Sequence, residues 1–231
     1  MADFNLEKEN YNNNCIMIGV DEAGRGSWAG PVVAASCWIN FQTYKSLPQD
    51  INDSKKISAQ NRKKIILSLN NSVKYSSAIS TPEEIDRYGL TVANFMAMKR
   101  SLYCLFQSFN EKPRKNFFKF QVYVDGNYTP DFSNIDITLK KNKMIKLVSH
   151  DMHSLVKGDE KSKTIALASI IAKETRDTIM RNYSVKYSQY KFNNHFGYGT
   201  VKHREAILKF GITPIHRKSF KPISTIYSAL K

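Results

Sequence analysis

Three acidic positions in this 231-residue chain stand where side chains can do chemistry. Asp21 and Glu22 follow the apolar run Ile16-Met17-Ile18-Gly19-Val20. Asp125 follows Phe120–Val124, and Asp159 precedes the longest helix-forming stretch of the chain. Carboxylates gathered at one point repel one another, so a fold that collects them needs a compensating cation. Hard oxygen ligands select Mg²⁺ or Mn²⁺. Two such ions about 4 Å apart can activate a water and stabilise the leaving oxygen in phosphodiester cleavage. Each acid also has a plainer use. Asp21 and Glu22 can start a turn, Asp125-Gly126 is a common turn dipeptide, and Asp159 can cap a helix. Two acids after apolar strands, with a third opening the longest helix, weigh toward chemistry.

The elements that must position these acids read as follows. Cys15–Val20 is a short apolar run, a buried strand stopping at Asp21, and the Gly-rich stretch from Asp21 to Pro31 follows as a turn. Val32–Ile39 is a second strand, which suggests an antiparallel pair at one side of a sheet. Ser58 caps a helix running through Ile65, Ile66 and Leu69. Val73–Ile79 is a third strand. Thr81-Pro82-Glu83-Glu84 is a strong helix start, and a further helix carries Val92, Phe95, Met96, Met98, Leu102 and Leu105. Phe120–Val124 is a fourth strand and Ile145–Val148 a weaker one. A long helix spans about Lys161 to Tyr187, and a short one follows Thr200. This order predicts an α/β sandwich: a mixed sheet of about five strands flanked by helices. Residues 1–14 read as a flexible N-terminal segment, and 15–231 as one domain. If the first and fourth strands are parallel neighbours, Asp21 and Asp125 lie side by side, and Asp159 can approach the same point.

Charge points to the partner. There are 35 Lys and Arg against 20 Asp and Glu, a formal net charge of +15. Such a chain attracts a polyanion, with counterion release driving association. No apolar run reaches the roughly 18 residues of a membrane span. The N-terminus is polar and carries acids, unlike a signal peptide, so a cytoplasmic location is the default. Cys15, Cys37 and Cys104 are far apart and read as reduced thiols. His153, His195, His203 and His216 show no regular zinc spacing. Lys55, Lys157 and Lys173 are candidate phosphate contacts, although an exposed lysine is equally a solvated charge.

Gly19–Ala35 (GVDEAGRGSWAGPVVAA) closely resembles the opening signature of the ribonuclease HII family. Asn52-Asp53-Ser54-Lys55, Val124-Asp125-Gly126 and Lys157-Gly158-Asp159 match further blocks in order. So do Ile165–Asp177, Gly197-Tyr198-Gly199-Thr200 and Pro214-Ile215-His216-Arg217. The resemblance runs from Cys15 to about Phe220. It implies an RNase H-like catalytic domain whose four-carboxylate site, Asp21, Glu22, Asp125 and Asp159, holds two Mn²⁺ or Mg²⁺ ions. It implies endonucleolytic hydrolysis of RNA in RNA–DNA hybrids, and cleavage 5′ of single ribonucleotides embedded in duplex DNA, leaving 3′-hydroxyl and 5′-phosphate ends. It also implies that the Gly24-Arg25-Gly26 turn reads the 2′-hydroxyl, largely through backbone groups, and that Tyr198 packs at the junction with the following deoxyribose. Ser27-Trp28 stands where the family often has Pro-Leu, which suggests a less rigid turn. Glu174 and Asp177 fall outside the matched ligand set and read as salt-bridge partners. His216-Arg217 reads as a local structural or phosphate contact. No obligate protein partner and no sliding-clamp peptide are evident. A type 1 ribonuclease H, a Holliday-junction resolvase or a transposase on the same fold is a rival that the Gly24–Gly26 turn argues against. A non-catalytic basic nucleic-acid binder is another, and such a protein has no use for clustered carboxylates.

Overall fold

The computed structural model describes residues 2–109, 119–131 and 152–229. A five-stranded sheet forms its centre, in the order β3-β2-β1-β4-β5. The strands are β1 (Cys15–Ala23), β2 (Val32–Ile39), β3 (Val73–Ser80), β4 (Lys119–Asp125) and β5 (Met152–Leu155). The helices are α1 (Asn5–Asn12), α2 (Ala59–Leu67), α3 (Pro82–Tyr88), α4 (Leu90–Gln107), α5 (Gly158–Lys161), α6 (Lys163–Lys186), α7 (Phe192–His195), α8 (Val201–Phe210) and α9 (Ile223–Ala229). The sheet is mixed: β1 pairs antiparallel with β2 and parallel with β4. None of the described helices is long and apolar enough to cross a membrane.

Alternation along the strands sorts side chains between two cores. Ile16, Ile18 and Val20 of β1 pack with Val122 and Val124 of β4 against Met98, Leu102 and Leu105 of α4. Ala23, Ala35 and Cys37 face the other way, against Leu167, Ile170 and Ile171 of α6. Each of those fully buried Leu or Ile side chains contributes about 1.5–3 kcal/mol. The small residues of α6 let it lie close: Ala166, Ala168 and Ala172 are buried. At Gly19 the approach is closer still, since a Cβ there would stand 2.7 Å from the Ile165 backbone nitrogen.

Five features differ from the sequence expectations. First, β1 does not stop at Asp21. It continues to Ala23, because Asp21, Glu22 and Ala23 still pair with Ala35, Ala34 and Val33 of β2. Second, β1 is the central strand rather than half of a pair at one side. Third, the strand beside β4 is Met152–Leu155, whereas the expected Ile145–Val148 lies outside the described residues. Fourth, Asp159 does not open the long helix. Extended Ser162 (φ −124°, ψ 130°) separates α5 from α6 and caps α6 by accepting from the Ile165 N–H. Fifth, the N-terminal segment expected to be flexible carries α1. The buried Glu7 carboxylate anchors it, accepting from Ser162 Oγ at 2.6 Å and from the Thr164 N–H at 2.9 Å.

A third core gathers Met180 of α6 with Tyr190, Phe192, Ala206, Ile207, Ile215 and Ile223. It builds the C-terminal part of the chain onto the end of α6 and carries the Tyr198 and His216-Arg217 segments.

Candidate active site

The parallel register of β1 and β4 sets Val20 beside Val124. The next residues, Asp21 and Asp125, therefore stand side by side on adjacent strands, each still paired on its other flank, Asp21 with Ala35 and Asp125 with Leu155. Their parity places both on the α6 side. The α5 turn brings Asp159 to the same point, and one carboxylate oxygen from each of Asp21, Asp125 and Asp159 lies within 4.8 Å of the others. Asp125 Oδ1 accepts the Gly158 N–H at 2.6 Å, which ties the end of β4 to the turn carrying Asp159. Burial drives Asp21 well above the ordinary carboxylate range, and the charges of Glu22 and Asp125 add to it. Burial also raises Asp159, with Asp125 and Asp53 adding and Lys55 opposing. Three acids gathered this way are uncomfortable without a cation, and their oxygen donors suit Mg²⁺ or Mn²⁺.

Glu22 does not join this trio. One residue along the strand, it faces the α4 side with Val20. Its Oε1 accepts from Arg25 Nη1 at 3.3 Å. Burial raises its pKa, against the pull of Arg25 and a hydrogen bond from Asn94. A cleft of about 370 Å³ opens beside it, lined among others by Arg25, Asn94, Phe95, Asp125 and Tyr128. The four acids thus stand at the C-terminal ends of β1 and β4 and on the α5 turn beside them, three on the α6 side and Glu22 on the opposite face of β1.

Gly24, Arg25 and Gly26 form the turn directly after β1, with Arg25 and Gly26 exposed and Gly24 buried. Gly24 has φ +92°, and a Cβ there would overlap the Arg176 guanidinium. Glycine is required at that position on both counts. Two fully buried arginines hold the turn. Arg217 donates to the carbonyls of Gly24, Arg25 and Gly30 at 2.7, 2.7 and 3.0 Å. Arg176 donates to Pro31 O at 3.0 Å, Ala29 O at 3.1 Å and Ser27 Oγ at 2.7 Å. Ser27 is thereby a device for fixing the turn rather than a source of slack, since its hydroxyl also donates to Gly24 O at 2.8 Å. A proline could not make these contacts. Burial, with Arg176 beside it, lowers Arg217 to about 9, so its charge persists at neutral pH.

The lysines divide. Burial works against charge on Lys55, but Asp159, Asp53, Asp21 and Asp125 outweigh it and raise its pKa. Lys157 is exposed in the left-handed region, at φ 54°. Lys173 is committed to Asp177 at 2.7 Å, and its ammonium stands 5.9 Å from the Tyr198 ring centroid. Tyr198 itself is 37% exposed, with the Arg176 guanidinium 5.3 Å over its ring. Glu174 and Asp177 are buried in ion pairs with Arg62, Arg181 and Lys173, as their exclusion from the ligand set implied. The three cysteines are free. Sequence reasoning missed Arg176 as a support of the Gly24 turn. The signal was present: Arg176 continues the i, i+4 row of Ala168 and Ala172, a charge on a buried stripe.

Residues 18–223 match the family model for ribonuclease HII. The ribonuclease HII of Ehrlichia ruminantium (strain Welgevonden) is 38% identical over 231 residues, covering 98% of this chain and 97% of that protein. Among solved structures, ribonuclease H2 from Pyrococcus horikoshii OT3 superposes with a TM-score of 0.66 at 24% identity, over 92% of this chain and 97% of that one. Bst-RNase HIII, solved in complex with Mn²⁺, superposes with a TM-score of 0.68 at 18% identity, over 94% of this chain and 71% of that one. The two structures share the fold, an RNase H-like mixed sheet flanked by helices. With acids gathered where the central strands end, a braced glycine turn beside them and a family match across most of its length, the chain belongs to the ribonuclease HII family, metal-dependent endoribonucleases of the type 2 ribonuclease H class.

Proposed function

We propose that this chain hydrolyses RNA in RNA–DNA hybrids and cuts on the 5′ side of single ribonucleotides embedded in duplex DNA, leaving 3′-hydroxyl and 5′-phosphate ends. Asp21, Asp125 and Asp159 would hold divalent cations, two in the active complex, and Glu22 would complete the set from the opposite face of β1. Mg²⁺ or Mn²⁺ would supply activation of a water and screening of charge on the phosphorane-like transition state. The observation that carries this reading is the trio of carboxylates, Asp21 and Asp159 buried and Asp125 half-buried, with oxygens within 4.8 Å. The Mn²⁺ in the Bst-RNase HIII structure supports the choice of ion.

The chain's own groups do the rest. The Gly24-Arg25-Gly26 turn reads the 2′-hydroxyl, the group that distinguishes RNA from DNA. Tyr198 packs against the sugar on the far side of the junction. Lys55, Lys157 and Lys173 contact phosphates, which position the duplex without reading its bases. Lys55 is best supported because it faces the acids, whereas Lys173 must first leave Asp177. The catalytic domain over residues 15–231, with α1 anchored to it through Glu7, acts without an obligate protein partner.

The test is end chemistry on a labelled DNA duplex carrying one ribonucleotide. A cut 5′ of the ribonucleotide, with product ends extendable by a polymerase and sensitive to phosphatase, supports the reading. A 2′,3′-cyclic phosphate end, or cutting undiminished by chelator, contradicts it.

A further inference from the structure

Three buried histidines lie beneath the turn that carries Tyr198, and nothing above uses them. His195, His203 and His216 are 7%, 0% and 1% exposed. The rings of His195 and His203 stack with centroids 4.5 Å apart, and His203 and His216 are 5.2 Å apart.

Their partners fix every proton. The Thr213 N–H donates to His216 Nδ1 at 2.9 Å, so that nitrogen is bare and the proton sits on Nε2. His216 Nε2 then donates to His203 Nε2 at 3.1 Å. His203 must therefore carry its proton on Nδ1, which donates to the Tyr198 carbonyl at 2.9 Å. His195 is set the same way. It accepts the Gly197 N–H at Nδ1, at 3.3 Å, and donates from Nε2 to the Tyr190 carbonyl at 3.0 Å. All three rings are neutral. The chain of hydrogen bonds through His216 and His203 runs in one direction, from the backbone of Thr213 to that of Tyr198.

The recipient is a backbone that would not hold its shape unaided. Phe196 and Gly197, just before Tyr198, both have positive φ, 48° and 80°. The opposite flank of the turn is pinned where the Trp28 and Ala29 N–H groups donate to Gly197 O at 2.8 and 3.2 Å. His216 is also the neighbour of Arg217. Adjacent side chains thus serve two elements, His216 the Tyr198 turn through His203, and Arg217 the Gly24-Arg25 turn.

We propose that His203, backed by His216, is a positioning residue: its Nδ1–H on the Tyr198 carbonyl sets where the tyrosine ring stands against the substrate, in register with the Gly24–Gly26 turn. This rests on the reading that Tyr198 packs at the ribonucleotide junction.

The experiment is a double-mutant cycle between Tyr198→Ala and His203→Leu, read as kcat and KM on a duplex with one ribonucleotide, with melting curves for every variant. Displacing a positioned group by about an ångström can cost up to about a hundredfold. Tyr198→Ala is expected to lose about tenfold or more in kcat/KM, His203→Leu a comparable amount, and the double variant little beyond Tyr198→Ala alone. Should His203→Leu not fold, His203→Asn and His203→Gln answer the same question. Asn places its amide N–H where Nδ1 stands, and Gln places it where Nε2 stands. Asn is expected to stay within about threefold of the wild type, with Gln impaired like Tyr198→Ala. Fully additive losses in the cycle, wild-type activity of a folded His203→Leu, or equal activity of Asn and Gln would each overturn the positioning role while leaving the Tyr198 reading intact. Wild-type activity of Tyr198→Ala would overturn both.

Discussion

Arg217 donates to the carbonyls of Arg25 and Gly24 at 2.7 Å each, across 192 and 193 residues of sequence. A buried guanidinium thus sets two consecutive peptide planes of the turn that follows Asp21 and Glu22. Replacing Arg217 by Met removes three donors, one each from the carbonyls of Gly24, Arg25 and Gly30. Stability is expected to fall by about 3 kcal/mol, and kcat/KM by more than about tenfold. Arg217→Lys should not rescue, because one ammonium nitrogen cannot stand in for three guanidinium nitrogens that each meet a different carbonyl. Thermal melts and steady-state kinetics on both variants check this.

Asp21 should oppose folding when no cation is bound. Its pKa is raised in the folded chain by burial, with Glu22 and Asp125 adding. A raised folded pKa gives stability that is present below the unfolded value and lost as pH rises through the folded one. At pH 7 the cost is therefore paid. In chelator, Asp21→Asn is expected to gain about 1–2 kcal/mol, or roughly 2–8 °C in melting temperature, while losing cleavage. Mg²⁺ or Mn²⁺ should raise the melting temperature of the wild type more than that of the variant.

The histidine pair predicts acid lability. Burial lowers His203 to about 4 and His216 to about 3, and the neighbouring histidine rings add to the shift in each. The titratable groups facing the pair are each other, His195 and Tyr190. Below an unfolded pKa near 6.5 the unfolded chain takes up protons that the folded chain refuses, so stability falls with pH from about 6.5 downward. At pH 5 the loss is on the order of 2 kcal/mol per histidine. Denaturant unfolding of the wild type from pH 7.5 to 5 should show this slope, and His203→Asn should flatten it.

Glu7 ties the N-terminal helix to the start of α6, through Ser162 Oγ and the Thr164 N–H. It acts as a helix cap supplied from elsewhere in the chain. Glu7→Ala is expected to cost about 1–2 kcal/mol. Hydrogen exchange should quicken at α1 and at the α5–α6 junction beside Asp159, with little change in β2 and β3.

The acids were legible because apolar runs ended in them and because the family motifs surround them. The parallel pairing that makes Asp21 and Asp125 neighbours stood only as a condition in the sequence, and the register of β1 on β4 meets it. What local pattern could not convey is contact across the chain. The extension of β1 to Ala23 comes from pairing with β2, and no turn residue in the stretch after Asp21 announces it. The anchoring of α1 depends on one carboxylate meeting a hydroxyl 155 residues away. The break at Ser162, which sets Asp159 on its own turn, is invisible to helix periodicity. The separation of Glu22 from the trio required knowing that the strand runs past it.

The central claim is that Asp125 serves the chemistry and not the grip on substrate. The direct measurement compares wild type and Asp125→Ala for binding and for cutting of a duplex with one ribonucleotide, in Mg²⁺, Mn²⁺ and chelator. The account predicts metal-dependent cutting by the wild type. It predicts cutting reduced at least about a thousandfold in the variant, with binding in chelator within about threefold of the wild type. Cutting by the variant at the wild-type rate, or binding lost together with cutting in a folded variant, would contradict it.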